Sequence, residues 1–268
     1  MGFDRRTVGA RFAAAAHDYD AAAVLQAEVQ SRLLERVDLL GYTPTRILDL
    51  GAGTGRALKP LARQCPHAQL SAVDLAAAML HRAHRQKPRF RRVNFAVAAA
   101  EQLPFADKAF DLVFSNLMLQ WCPNPDRVFV EARRVLSGQG VFLFTSLGPD
   151  TLRELRAAWR EVDDHEHVHT FIDMHDIGDA LIRAGFVEPV MDVEQLTMTY
   201  GTARELMRDL RVIGARNASS ERARGLTAPR RLAAVERAYE RFRYEGRLPA
   251  TYEVVYGTAW TPLDLPRR

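Results

Sequence analysis

The fold is decided by the stretch Arg46-Ile-Leu-Asp-Leu-Gly-Ala-Gly-Thr-Gly55, in which a short apolar strand runs directly into a loop with alternating glycines. The next apolar stretch, Leu70-Ser-Ala-Val-Asp74, ends in an acid. Glycines allow a tight turn and let a ligand approach the backbone, and a carboxylate at the end of the second strand can accept hydrogen bonds from both hydroxyls of a ribose. The two stretches therefore predict an α/β fold that binds a nucleotide-like cofactor.

The spacing of the glycines separates this loop from the dinucleotide-binding fingerprint G-x-G-x-x-G. Asp49 precedes Gly51, Gly53 and Gly55, which gives the pattern D-x-G-x-G-x-G, and nothing in the loop predicts a pyrophosphate site. The alternative, a plain strand-to-helix turn, is disfavoured by Asp74 one strand later. The pattern resembles the S-adenosylmethionine loop of class I methyltransferases.

Composition indicates a soluble globular chain with one substantial core. The chain has 268 residues, of which 47% are hydrophobic and 26% charged. It contains no apolar run of about eighteen residues and no apolar segment typical of a signal peptide, so we expect neither a membrane span nor secretion, and a cytoplasmic location. Two cysteines, Cys65 and Cys122, are too few for a disulfide framework or a four-ligand metal site, and we expect no metal.

The positive charge is concentrated in one region. The net charge is +4, and residues 201–250 contain twelve arginines but six acids. A local basic surface can attract nucleic acid, an anionic membrane or an acidic protein, and charge alone does not choose among them.

Apolar runs alternate regularly with helical patterns, which predicts a mostly parallel, Rossmann-like sheet with helices on both faces. Seven strands are predicted at 46–50, 69–73, 93–97, 110–115, 140–146, 187–199 and 251–260. Helices are predicted at about 56–64, 76–86, 126–136, 150–163, 174–184, 202–214 and 229–243. The last two helices would form a cap inserted between the last two strands.

The domain organisation follows from this order. We predict an N-terminal helical lid at 1–40, a cofactor-binding core at 41–148, the remainder of the core at 149–200 with a cap loop at 149–172, a helical cap at 201–248, and the final strand and tail at 249–268. Ligands of open α/β sheets bind at the carboxyl ends of the strands, so the lid, the cap loop and the helical cap should enclose an acceptor pocket.

The helix at 203–214 is amphipathic. Its apolar face consists of Leu206, Leu210 and Ile213, and its opposite face carries Arg204, Arg208 and Arg211. One face should pack and the other should be cationic; a solvated face and a binding face remain alternatives for the arginines.

Several blocks beyond the glycine loop carry a more specific resemblance. They are Phe110-Asp-Leu-Val-Phe-Ser-Asn-Leu-Met-Leu-Gln-Trp121, residues 147–155, 171–180, 184–186 and 207–215, and Leu248-Pro-Ala-Thr-Tyr-Glu-Val-Val-Tyr256. Taken together, they resemble the malonyl-acyl-carrier-protein O-methyltransferases of biotin synthesis, the BioC family, nearly end to end.

The resemblance implies transfer of a methyl group from S-adenosylmethionine to the free carboxylate of a malonyl thioester on acyl carrier protein, with S-adenosylhomocysteine as the second product. A carboxylate is already ionised at neutral pH, so no general base is expected. The enzyme has only to align one carboxylate oxygen with the sulfonium methyl and to exclude water. As partners we expect acyl carrier protein, and neither nucleic acid nor a membrane.

The resemblance also implies the cofactor residues. Asp49, Gly51, Gly53 and Gly55 would shape the pocket for the methionine and sulfonium end, and Asp74 would hold the ribose. The remaining expected contacts are Leu75 or Met79 to adenine, Ala100 and Glu101 to the adenine amino group through backbone or water, and Asn116 near the methyl group. Many relatives carry an acid where this chain has Ala99.

Tyr19, Asn116 and Gln120 are the expected positioning residues at the reacting centre, although Tyr19 could be a simple packing residue. The expected substrate-binding residues are Trp121, His167, Phe171, Arg208 and Arg211, where the arginines would pair with the malonyl carboxylate or the phosphopantetheine phosphate. Packing alone is the alternative for Trp121. Relatives often carry arginine where this chain has Thr170.

The segment His165-Glu-His-Val-His169 could in principle bind a metal, but no cysteine accompanies it, and a loop over the pocket is favoured. Two other functions stay open. One is methylation of RNA or another small carboxylate, and the other is the role of the mitochondrial complex I assembly factors, which resemble this family and act on a protein arginine. The absence of a serine- and arginine-rich presequence disfavours the mitochondrial relative.

Overall fold

A computed structural model describes residues 4–214 and 229–263. Seven strands form one sheet, at Arg46–Leu50 (β1), Gln69–Asp74 (β2), Val93–Val97 (β3), Phe110–Ser115 (β4), Leu136–Leu147 (β5), Val187–Tyr200 (β6) and Leu248–Trp260 (β7). Their order is β3-β2-β1-β4-β5-β7-β6, and only β7 runs antiparallel to its neighbours. The prediction of a mostly parallel seven-stranded α/β sheet is confirmed.

Helices cover both faces of the sheet. Within the described ranges they lie at Arg5–Ala15 (α1), Tyr19–Ala22 (α2), Val24–Glu35 (α3), Leu58–Gln64 (α4), Ala77–Gln86 (α5), Pro125–Val135 (α6), Arg153–Arg160 (α7), Met174–Arg183 (α8), Ala203–Val212 (α9) and Pro229–Tyr239 (α10). Short 3-10 turns occupy Arg36–Leu39, Leu119–Trp121 and Glu240–Phe242. Helices α9 and α10 lie between β6 and β7, as the predicted cap requires. None of the described helices is long and apolar enough to cross a membrane.

Alternating side chains of the central strands divide the core into two layers. Leu143 of β5 packs in the layer with α3, α7 and α10, together with Leu33 and Tyr239. Its neighbours Phe142 and Phe144 point to the opposite layer, which contains α6 and α8. The sheet is thus buried on both faces, which explains why its central strands are almost continuously apolar.

Several element boundaries differ from the sequence prediction: β7 begins at Leu248 instead of 251, and α10 ends at Tyr239 instead of 243. Two further differences have local reasons. The helix predicted at 150–163 begins only at Arg153, because Leu152 adopts a left-handed conformation with φ +56° and donates its N–H to the carbonyl of Thr251 at 2.6 Å. Strand β5 begins at Leu136, directly after α6, and its pairing with β4 is irregular before Leu112. The strand predicted at 140–146 was therefore too short.

The N-terminal helices are fastened to the far edge of the sheet. Arg32 of α3 bonds Glu194 of β6, and Arg36 bonds Asp192 at 2.6 Å. The Arg36 guanidinium also lies over the Tyr256 ring at 4.4 Å. Parts of three predicted segments, residues 1–3, 215–228 and 264–268, lie outside the described residues. They include Ala215 at the end of the block 207–215.

Candidate functional site

The loop after β1 depends on its glycines. Gly51, Gly53 and Gly55 have φ values of +77°, +53° and +80°, a region that disfavours residues with a side chain. A Cβ on Gly51 would collide with the side chain of Met118, and one on Gly55 would lie 2.7 Å from the Cβ of Ala83. A Cβ on Gly53 would meet no atom within 4 Å. Gly51 and Gly55 therefore permit close packing, and Gly53 borders open space.

Asp74 closes the loop against the end of β2. Its Oδ2 accepts from the Gly53 N–H at 2.9 Å, and its Oδ1 accepts from the Ala76 N–H at 2.8 Å. Burial raises the pKa of Asp74, and the backbone N–H donors oppose this shift. The carboxylate thus lies where β1 and β2 end side by side, which is where the sequence predicted it.

Asp49 is a buried carboxylate, and one of its oxygens is unpaired within the described part of the chain. Its exposed fraction is 3%, and its Oδ2 has no hydrogen-bond partner among the described residues. Burial, and to a smaller degree the charge of Asp74, raise the pKa of Asp49 to about 7. An unpaired buried carboxylate is costly unless a cation or a donor completes it. Asp49 therefore fits the cationic methionine end of S-adenosylmethionine.

A cavity of about 720 Å³, part of it open to solvent, begins at this loop. The predicted cofactor residues that line it are Gly51, Gly53, Asp74, Leu75, Met79, Ala100, Glu101 and Asn116. Asp49 and Gly55 are not among its lining residues. They belong to the strand and loop that shape its floor.

The loop after β3 lines one end of this cavity and contributes one charged side chain there. Ala99 and Ala100 line it together with Glu101, whose side chain is 3% exposed. The Arg5 guanidinium of α1 lies 3.3 Å from a Glu101 oxygen. An acid therefore lines the cavity two residues after Ala99, and its ion pair with Arg5 joins α1 to the cavity wall.

The N-terminal helices cover the cavity. Phe12 of α1 meets Trp121 edge to face, with 5.4 Å between ring centroids. Asp20 of α2 accepts from Thr54 Oγ1 at 2.6 Å and from Gln86 Nε2 at 2.8 Å. Burial, followed by the charges of Asp74 and Asp20, raises the pKa of Tyr19, so its phenol stays neutral. The lid is thus pinned to the glycine loop and to α5.

Asn116 joins the lid to the sheet. Its Nδ2 donates to the carbonyl of Gln26 at 3.0 Å, and its Oδ1 accepts from Thr145 Oγ1 at 2.9 Å. The next residue, Leu117, has a φ of +49° and donates its N–H to the same Thr145 hydroxyl. These hydrogen bonds fix the turn after β4, where the cofactor and the acceptor would meet.

A second cavity, of about 740 Å³, lies on the other side of this turn. Four residues line both cavities and form a shared wall: Phe12, Tyr19, Leu117 and Trp121. The predicted residues Gln120, Trp121, His167 and Phe171 line this second cavity, which we call the acceptor cavity. The structure therefore brings most of the predicted positioning and substrate residues to one place.

The cap loop supplies an aromatic stack. The rings of His167 and Trp159 are nearly parallel, with centroids 3.5 Å apart, and His167 Nε2 lies 2.6 Å from Asp163 Oδ1. Burial lowers the pKa of His169 to about 4, so this imidazole is neutral at pH 7. The described residues contain no cluster of His, Cys, Asp or Glu that could hold a metal ion.

The structure places Arg208 and Arg211 away from the acceptor cavity. Both side chains are exposed, and Arg211 borders a separate surface groove with Arg11. The apolar face of the same helix, through Leu210 and Ile213, lines the cavity instead. The amphipathic helix was predicted correctly, but this arrangement gives no support to a contact between its arginines and a carboxylate inside the cavity.

Thr170 donates its N–H to Glu166 Oε1 at 3.2 Å within the cap loop. Gln26 of α3 lines the acceptor cavity, although sequence reasoning did not single it out. The only feature of the sequence that could have indicated Gln26 is its polar side chain between the core residues Leu25 and Val29 of the same helix.

Comparison with known proteins places the site in context. A model described as a methyltransferase domain matches residues 48–144. The malonyl-[acyl-carrier protein] O-methyltransferase of Halorhodospira halophila is 50% identical over 270 residues, covering 100% of this chain and 92% of that protein. The protein of the same name from Laribacter hongkongensis is 50% identical over 275 residues, covering 99% and 92%.

Solved structures share the fold at low identity. The YcgJ protein from Bacillus subtilis has a TM-score of 0.62 at 17% identity and covers 87% of this chain and 99% of its own. A phosphoethanolamine N-methyltransferase from Haemonchus contortus, solved with S-adenosyl-L-methionine, has a TM-score of 0.53 at 21% identity, covering 87% of this chain and 52% of its own.

Proposed function

Because the chain belongs to the malonyl-[acyl-carrier protein] O-methyltransferase family, we propose that it transfers the methyl group of S-adenosylmethionine to the free carboxylate of a malonyl thioester on acyl carrier protein. The observation that carries this proposal is the pair of cavities with one shared wall. Most of the predicted cofactor residues line one cavity, and most of the predicted positioning and substrate residues line the other. A methyl group transferred from one cavity to the other would therefore have to pass only the residues of the shared wall.

The cofactor would occupy the cavity at the glycine loop. Asp49 would pair with its cationic end, Asp74 with the ribose hydroxyls, and Leu75 and Met79 with the faces of adenine. Glu101 would accept from the adenine amino group directly or through water. When bound, the cofactor supplies an electrophilic methyl group on a positively charged sulfur.

The residues of the chain then have to align the acceptor carboxylate with the methyl group and to exclude water from both. The cofactor would supply the methyl group to a carboxylate oxygen of the acceptor, and its sulfur would keep the electron pair of the broken carbon–sulfur bond. No proton moves, so no general base is needed. Opposite charges cancel in this step, and the apolar wall of Phe12, Leu117 and Trp121 favours it by excluding water. The neutral phenol of Tyr19 adds no competing charge.

The carrier protein would dock on the outside of α9. Arg208 and Arg211 are exposed on the helix whose other face lines the acceptor cavity. Carrier proteins are acidic, so two arginines beside the cavity would attract one and guide its prosthetic arm inward. The neutral methyl ester could then prime chain elongation toward pimeloyl groups for biotin, because it no longer presents a charge to an apolar channel.

The alternative acceptor, a protein arginine, fits the cavity less well. Among the described residues, its lining includes no aspartate or glutamate that could bind a guanidinium. The lining is largely apolar, and its polar groups are neutral amides, hydroxyls and imidazoles, at Gln26, Gln120, Thr151, Tyr19, Tyr252, His167 and His169. A small, flexible carboxylate therefore suits the cavity better than a cationic side chain does.

The direct test is an incubation of purified protein with S-adenosylmethionine and malonyl-acyl carrier protein, with acetyl-acyl carrier protein as the matched control, read by intact mass. We expect a gain of one methylene on the malonyl form alone. A protein that binds the cofactor but leaves malonyl-acyl carrier protein unchanged would exclude the proposed function.

A further inference from the structure

Gln26 places a polar side chain at the wall of the acceptor cavity. It lies on α3 and lines the acceptor cavity. Its backbone carbonyl is fixed by the Asn116 amide at 3.0 Å, so its position relative to the turn after β4 is set. Its side-chain Oε1 is buried and has no hydrogen-bond partner among the described residues.

Gln120, which also lines the acceptor cavity, repeats this pattern. Its Nε2 donates to the carbonyl of Leu117 at 2.7 Å, but its Oε1 is buried without a partner. An unsatisfied buried amide costs about 1–3 kcal/mol. Two of them lining one cavity are the arrangement expected where a polar ligand completes the hydrogen bonds.

No fixed cation competes for this role within the described part of the chain. The lining of the acceptor cavity includes no lysine or arginine there. A neutral donor also suits the reaction better than a guanidinium would. The negative charge of the carboxylate disappears as its oxygen takes the methyl group, so an ion pair would stabilise the starting carboxylate more than the transition state and would slow the transfer.

We infer that the side-chain amide of Gln26 binds the acceptor carboxylate and selects acids over uncharged thioesters. The side-chain Oε1 of Gln26 has no hydrogen-bond partner among the described residues, so the terminal amide can turn and present Nε2 to one carboxylate oxygen. The other oxygen stays free to meet the methyl group. The partial negative charge of the Gln120 Oε1 suits an N–H donor, such as an amide of the pantetheine arm. This inference rests on the proposed function.

The test compares Gln26→Leu and Gln26→Glu with Gln30→Leu. Gln30 lies one turn further along α3 and lines neither cavity. We expect both Gln26 variants to lower kcat/KM for malonyl-acyl carrier protein about 10- to 100-fold, the effect of losing a hydrogen bond to a charged group. The dissociation constant for S-adenosylmethionine and the melting temperature should stay close to those of the wild type, as should all properties of Gln30→Leu.

Two readouts separate carboxylate binding from a general packing role. Gln26→Glu introduces a second carboxylate, so its defect should shrink as pH falls toward 5, whereas the defect of Gln26→Leu should not change. In binding measurements with S-adenosylhomocysteine present, the wild type should prefer malonyl- over acetyl-acyl carrier protein, and Gln26→Leu should lose that preference.

The outcomes distinguish the two proposals. A wild-type protein that does not methylate malonyl-acyl carrier protein rejects the proposed function. A wild type that is active, together with Gln26 variants that keep its kcat/KM and its preference for malonyl, overturns the assignment of Gln26 alone. Equal losses toward both carrier-protein forms would also overturn it, because they would indicate a packing defect.

Discussion

At the scale of single residues, the glycine loop and its two acids were predictable, and Gln26 was not. The pattern around Asp49 and Asp74 is local, because a strand, a turn and the end of the next strand fix it. The direction of a helical side chain such as Gln26 depends on which face of α3 packs on the sheet. That choice is made by distant partners, so the sequence window around the residue does not contain it.

Asp49 predicts a pH dependence of cofactor binding. Its pKa of about 7 means that the carboxyl takes up a proton as pH falls below neutrality, and only the ionised form pairs with a cation. We expect the affinity for S-adenosylmethionine to be constant above pH 8 and to fall up to tenfold per pH unit below pH 7. Calorimetric titrations between pH 5.5 and 8.5 measure this. Asp49→Asn should bind weakly and show no such slope.

The same residue should affect stability in the opposite sense. A folded-state pKa above the ordinary value of 3.8 means that the folded protein holds the proton more tightly than the unfolded chain does. The stability from this group is therefore complete at low pH and is lost as pH rises through the window from 3.8 to about 7. Asp49→Asn should melt at a higher temperature than the wild type at pH 8, and this advantage should disappear near pH 4. An unchanged difference across that range would contradict the assignment.

At the scale of elements, the strand pattern and the amphipathic cap helix were predictable, whereas the side on which α9 meets the cavity was not. Its two faces follow from helical periodicity, but the pocket borders its apolar face, through Leu210 and Ile213. An interaction between Arg208 and a substrate inside the pocket looked reasonable from charge chemistry alone. The packing of α9 puts that arginine on the outside.

For α9 we predict a docking effect. The double variant Arg208→Ala, Arg211→Ala should raise the KM for malonyl-acyl carrier protein several-fold at low salt and much less at high salt, because exposed charges are screened. The KM for a small malonyl thioester without the carrier protein should stay the same. Arg89→Ala, an exposed arginine between α5 and β3, is the matched control. An equal rise with both substrates would instead place the arginines at the carboxylate.

For α1 we predict that Phe12 couples the two cavities. It lines both, and its ring meets Trp121. Phe12→Ala opens the shared wall to water, so kcat should fall about tenfold or more and the affinity for S-adenosylhomocysteine should also weaken. Steady-state kinetics and calorimetry measure the two effects. Leu39→Ala, at a side chain that is 80% exposed, should change neither.

At the scale of the whole molecule, stability depends on the junction where the sheet reverses direction. Gly257 of β7 pairs with Phe144 of β5, and a Cβ on Gly257 would collide with the Phe144 ring, only 2.2 Å from its Cζ. The class of fold could be predicted from the alternation of elements, but this steric requirement arises only when the last strand enters between β5 and β6. The local sequence around Gly257 therefore could not predict this requirement.

Gly257→Ala should therefore destabilise the protein by about 1–3 kcal/mol, the usual cost of overpacking a core. Gly178→Ala is the control, because it lies within α8 and its nearest neighbour, Met191 Cγ, is 3.9 Å from the added Cβ. Alanine is the better helix former, so this variant should be slightly more stable. Urea unfolding followed by circular dichroism measures both; similar midpoints for the two variants would show that β7 adjusts its position.

The wall shared by the two cavities also links their occupancy. Phe12 and Tyr19 border both, so a cofactor that orders them also prepares the surface that meets the acceptor. Linkage is reciprocal, and the acceptor in turn strengthens the hold on the cofactor. A malonyl carrier protein would therefore bind less well to the protein without its cofactor. After the reaction, S-adenosylhomocysteine would dissociate only once the ester product had left. The chain would then respond to the ratio of fresh to used methyl donor and not merely to the supply of malonyl groups.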